Sequence, residues 1–199
     1  RYLSPLILSL LIFGCNTGSE QIKQEEIHRI SCLGLFKPKL AEISFSENIT
    51  VESENSQAIT ILKNEKAIIE YINQHLILKV QNKSIISNQF TFLTQNRNPF
   101  YSKYSITIPN KISREYLGGL EIKSGKDAIL FIVKQKTNDF VLGVLSSESS
   151  DSEPEYLKAL SVIIRTYILH NHSRHFSEGY DFCDNTHCMV FYGEQNKNN

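Results

Sequence analysis

Short runs in which apolar and polar residues alternate constrain this chain more than any other feature. Ile43 and Phe45, Ile49 and Val51, Leu76, Leu78 and Val80, and Ile106 and Ile108 each place apolar side chains on one face of an extended backbone. Asn-Gln and Asn-Lys pairs fall between the runs, where turns are required. The pattern predicts strands from Ala41 to Pro109, with His75 structural within one of them and a loop over residues 95–99. It continues through Leu120 and Ile122, a turn at Gly125, and a buried strand over residues 128–133. Phe140 to Leu145 is too short for periodicity to separate a strand end from a short helix.

The period then changes. Leu157, Leu160, Ile164 and Ile168 recur at spacings of three and four, which predicts a helix with one apolar stripe. Ser152 and Glu155 form a capping-box pair, and Pro154 in the first turn loses no intrahelical hydrogen bond. Arg165 lies on a flank of the stripe, close enough to the buried side to pair with a carboxylate. The expected class is α+β: a strand-rich N-terminal region followed by a helix-containing segment.

The chain opens on an uncharged apolar run, Leu3 to Phe13, followed by Gly14 and Cys15. The run is too short to span a bilayer and suits the core of a signal peptide. Ile12-Phe13-Gly14-Cys15 resembles the lipobox of bacterial lipoproteins, which makes Cys15 a candidate for lipidation. The expected organisation is a signal or lipoprotein-like segment over 1–15, a linker over 16–40, a β-rich region over 41–110 and a helix-containing domain over 111–199. Export to the cell envelope follows, with membrane contact only through the N-terminal lipid or signal. Cys32, isolated in sequence, reads as a small buried apolar residue. Lysine and arginine together number 21, and aspartate and glutamate also number 21. Without a basic excess the chain has no nucleic-acid footprint, and an uncharged glycan or small polar ligand fits better.

Two groups of residues could carry chemistry. Glu148 lies in a serine-rich turn just outside the predicted helix, and partial burial there would raise its pKa and keep a proton ready for donation. Four of the six histidines fall within eighteen residues, beside Cys183 and Cys188. Cys183, His187 and Cys188, with one histidine from upstream, offer the nitrogen and sulfur ligands that zinc prefers. A Cys183–Cys188 disulfide or a set of surface histidines would account for the same residues. Tyr167, Phe176, Tyr180, Phe182, Phe191 and Tyr192 crowd the region, most of them as packing, although such faces can also stack on sugar rings.

Three separated stretches, LGVLSSE, EYLKALSVIIRTYIL and GYDFCDNTHCMVFYG, resemble the stage II sporulation protein D (SpoIID/LytB) family, and YLGGLEI at residues 116–122 is similar to an upstream strand of that family. The resemblance implies a peptidoglycan lytic transglycosylase or an enhancer of a wall amidase. It implies Glu148 as the catalytic acid and base, and Arg165 and Tyr167 as substrate-binding residues. His175, Cys183, His187 and Cys188 would be the ligands of a structural zinc. Glycan strands stripped of peptides would be the substrate, and an amidase a possible partner. The family domain continues beyond the last motif into a glycine-rich half, whereas this sequence ends in QNKNN. A partial domain is therefore expected, with a noncatalytic glycan-binding or amidase-enhancing module as the alternative.

Overall fold

The computed structural model describes residues 26–96, 102–149 and 153–194, so Cys15, Asp151 and Ser152 lie outside the described residues. Twelve strands form one branched sheet: β1 (Ile27–Cys32), β2 (Leu40–Phe45), β3 (Ile49–Ser53), β4 (Ala58–Ile61), β5 (Lys66–Ile72), β6 (His75–Val80), β7 (Lys83–Ser87), β8 (Gln89–Thr94), β9 (Ser102–Ile108), β10 (Ile112–Ser124), β11 (Ile129–Lys136) and β12 (Phe182–Cys183). The main path runs β12-β1-β11-β10-β9-β2-β5-β6-β7, and a branch leaves β10 through β8 and β3 to β4. The β1–β12 pair is parallel and the other pairs are antiparallel.

β10 belongs to both branches. Its first half pairs with β9 from Ile112 to Gly118, and its second half lies between β11 and β8. The change of partner falls at Gly118, whose φ is +130° and where a Cβ would meet the Lys134 carbonyl oxygen at 2.4 Å. Only glycine takes that conformation against that neighbour without strain.

The alternating residues seen in the sequence turn inward. Ile43, Phe45, Ile69, Leu76, Leu78 and Ile106 on one part of the sheet, and Ile49, Val51, Phe92, Leu120 and Val133 on the other, are buried. Phe45 stacks on Phe92 and packs against Tyr104, each at 5.4 Å between ring centroids, which joins the two parts through their aromatic faces. Cys32 is buried as expected, and His75 hydrogen-bonds the Asn88 side chain at the surface.

One expectation needs correction, and one open alternative is decided. Residues 27–32, placed in a linker, form β1, which sits between β11 and β12. His28, Ile30 and Cys32 face inward, while Arg29 and the buried polar Ser31 mask the alternation in sequence. The ambiguous stretch at Phe140 to Leu145 is helix: α1 (Thr137–Glu148) leaves β11 directly and buries Phe140, Val141 and Val144. α2 (Pro154–Asn171) buries Ile164 and Ile168, with Leu157 and Leu160 half-buried on the same stripe. Glu153 stands at its N-cap without a side-chain cap bond, and the Ser152 half of the expected capping box falls outside the described residues. Among the described residues no helix is long and apolar enough to cross a membrane.

Candidate functional site

After α2 the chain turns back toward the sheet, and a 3-10 turn at Phe176–Glu178 leads into β12. This path brings together His175, Cys183, His187 and Cys188. Their ligand atoms all lie within 4.8 Å of one another. His175 Nε2 is 3.3 Å from Cys188 Sγ, and His187 Nδ1 is 3.6 Å from Cys183 Sγ and 3.8 Å from Cys188 Sγ. Tetrahedral zinc, with bonds of about 2.1 Å to nitrogen and 2.3 Å to sulfur, sets neighbouring ligand atoms about 3.3 to 3.8 Å apart. The donor set suits that ion, and these three distances fall in that range within a cluster that spreads to at most 4.8 Å. Cys183 and Cys188 are free thiols rather than a disulfide. His170 and His172 remain exposed, with His172 against the Leu169 carbonyl.

The surroundings orient these groups. Glu178 Oε1 lies 2.8 Å from His175 Nδ1, which leaves Nε2 to face the two sulfurs. Tyr180 donates its hydroxyl to the other oxygen of Glu178 at 2.6 Å and stacks on the His175 ring. Hydrogen bonds from Tyr180 and then His175 hold the Glu178 carboxyl below its ordinary pKa. Asn185 Oδ1 accepts the His187 backbone N–H and the Cys183 thiol. Burial, and then Cys188, push the Cys183 thiol up to about 11. A divalent cation reverses that trend, because a coordinating thiol loses its proton.

Asp184 fastens the same loop to the sheet. Its Oδ2 accepts the Leu33 backbone N–H at 2.8 Å and an Arg114 N–H at 2.9 Å. The Arg114 guanidinium also lies over the Tyr192 ring at 4.3 Å. Burial raises the Asp184 pKa, and the bonds from Leu33 and Arg114 oppose the rise.

Glu148 is the last residue of α1 and is exposed, not half-buried. The serine-rich stretch read as a turn is instead the last turn of α1. Glu148 Oε1 accepts the Val190 backbone N–H at 2.8 Å, and Ser147 Oγ accepts that of Tyr192 at 2.9 Å. The segment after Cys188 thus crosses the C-terminal end of α1. Phe191, fully buried, points between these bonds into the core against Phe140 and Tyr116.

The structure does not bring Arg165 to Glu148. Its guanidinium donates to Asn138 Oδ1 at 2.8 Å, near the opposite end of α1. Ten residues of helix separate Asn138 from Glu148, about 15 Å. α2 returns along α1, so a residue eleven positions into it reaches the start of α1 instead of its end. Tyr167 is half-buried against Phe182 and accepts a bond from Arg174 at 2.8 Å, on the side of the Cys/His cluster. Glu178, Asp184, Arg114 and Ser147 were not singled out as partners of the site in sequence. Only the Glu178 spacing, three residues after His175, carried a legible signal.

The stage II sporulation protein (SpoIID) family model matches residues 126–199, which span β11, both helices and the Cys/His cluster. No curated protein and no solved structure matches the chain.

Proposed function

We propose that this SpoIID-type chain is an exported cell-wall protein that cuts peptidoglycan glycan strands already stripped of their peptides. The observation that carries the reading is the placement of Glu148. It is solvent-facing and fixed by a backbone amide, on a segment matched by the SpoIID family. A carboxylic acid at that position would protonate the oxygen linking N-acetylmuramic acid to N-acetylglucosamine. As a carboxylate it would then take the proton of the muramic 6-hydroxyl as that oxygen closes on the anomeric carbon, leaving a 1,6-anhydro end. One acid/base group serves both steps, so no second carboxylate is required opposite it. The Tyr192 ring, partly exposed on the neighbouring segment, could meet a sugar on the face that Arg114 does not cover.

The same reading gives His175, Cys183, His187 and Cys188 a zinc ion with all four positions filled by protein, a closed site whose contribution is structural. Lipidation of Cys15 would tether the protein at the membrane. An amidase partner belongs to the second reading, a noncatalytic glycan-binding or amidase-enhancing module. That reading is favoured by the distance of Arg165 from Glu148.

Peptide-stripped glycan strands incubated with the protein, followed by mass spectrometry of the soluble products, separate the two. Anhydromuramic ends from the wild type and none from Glu148→Gln are the expected result. Binding of glycan without any product would overturn cleavage in favour of the second reading.

A further inference from the structure

The residues that join the Cys/His cluster to Glu148 are contiguous in the chain. Cys188 is a member of the cluster, and two residues later the Val190 N–H reaches Glu148. Two residues beyond that, the Tyr192 N–H reaches Ser147 Oγ, whose own hydroxyl donates to the Gly143 carbonyl. At Gly193 the segment closes on β10: φ is +81°, and a Cβ there would meet the Glu115 carbonyl oxygen. The following N–H, that of Glu194, donates to the same Glu115 oxygen at 2.8 Å. Residues 189–193 therefore form a strap tied at one end to the cluster and at the other to the sheet. Between its ends it holds the last turn of α1 by two backbone amides.

We infer that the strap is a positioning device through which occupancy of the Cys/His cluster by zinc fixes the Glu148 carboxylate. Val190 acts through its main chain, so its side chain is free to vary. Ser147 is a second positioning residue, since it locks the helix turn that carries Glu148. The role of Glu148 as the acid and the zinc at the cluster rest on the reading above, whereas the coupling between cluster and carboxylate does not require glycan cleavage.

Linkage is reciprocal: if zinc stabilises the Glu148–Val190 bond, that bond must tighten zinc binding by the same factor. Two measurements on the full chain follow, neither of which uses glycan. In amide hydrogen exchange, removal of zinc by a chelator should speed exchange at Val190 and Tyr192 by about tenfold or more, while β2 and β9 amides keep their protection. In zinc competition against a chromogenic chelator, Glu148→Ala should bind zinc about fivefold or more weakly than wild type. Glu148→Gln, which keeps an acceptor for Val190, should stay close to wild type. Unchanged zinc affinity in Glu148→Ala would overturn the inference even if chelation unfolds the whole chain. Unchanged Val190 exchange in a folded, zinc-free protein would do the same, because the Phe191 wedge would then hold the strap unaided. If both results come out as expected and no glycan is cut, the coupling stands and the cleavage reading falls.

Discussion

Replacing Gly143 with alanine tests the packing of the strap by the sign of the effect. Gly143 lies inside α1, and at an unobstructed helical position Gly→Ala stabilises by about 1 kcal/mol. Here an added Cβ would meet Phe191 Cε2 at 2.4 Å and Cδ2 at 2.9 Å. The ring has nowhere to swing: Phe191 has no exposed surface, Phe140 packs edge-on at 5.5 Å and Tyr116 lies at 6.0 Å. Overpacking of this kind costs about 1–3 kcal/mol. Set against the helical gain, the net effect runs from near neutral to a loss of about 2 kcal/mol, with the midpoint of the range near 1. In a domain of this size that midpoint corresponds to a fall of about 2–4 °C in Tm. Thermal and urea melts of the protein would read it. Phe191→Leu in the same chain should relieve the clash, so that Gly143→Ala becomes neutral or stabilising in that background, with a coupling of about 1 kcal/mol or more. A rise in Tm for the single variant Gly143→Ala would refute the reasoning, since it would mean that Phe191 yields and the strap is not wedged.

Two further outcomes follow from buried groups. His28 is buried between Phe140 and Phe182 and faces Thr137; burial lowers its pKa from 6.5, with Glu26 and Asp181 partly opposing and His172 adding to the drop. Below that value the unfolded chain binds a proton that the folded chain does not, so stability falls as pH drops through about 6.5 toward the folded value. The Tm difference between wild type and His28→Gln should therefore shrink from about pH 8 to pH 5.5, and a constant difference would contradict it. Arg114→Met, which strands the buried Asp184 carboxylate, should cost about 3–5 kcal/mol in urea melts. Adding Asp184→Asn should restore part of that loss.

Much of the sheet was legible because inward-facing positions on β2, β3, β6 and β9 alternate over several residues. β1 escaped because Ser31 is buried on the face opposite Ile30, so the strand carries polar residues on both sides of its pattern. Cys183, His187 and Cys188 were gathered by ligand chemistry and His175 by resemblance, and the four side chains lie together. Glu148 was assigned by resemblance, but its environment was not legible. Its exposure depends on where α1 ends, and its partner is a backbone amide that carries no residue-specific signal. Arg165 shows the same limit. Its position on the flank of an apolar stripe suggested a carboxylate partner, whereas Arg165 is exposed and bonds the Asn138 amide. Which carboxylate or amide that face would meet depended on the direction in which α2 returns along α1.

The sharing of β10 bears on whether the family-matched portion can live alone. The match starts at residue 126, in the turn between β10 and β11. A fragment excised there would keep β11, both helices and the Cys/His cluster. It would lose the strand that covers one edge of β11, the strand β1 that covers the other, and the Glu115 carbonyl on which the strap closes. Both edges of β11 would stand open, with a row of unpaired N–H and C=O groups that invites aggregation. The heritable unit recognised by sequence and the unit that can be cut out and expressed are therefore different objects in this protein. Any exchange of the helical portion between chains would have to carry β1 and β10 with it.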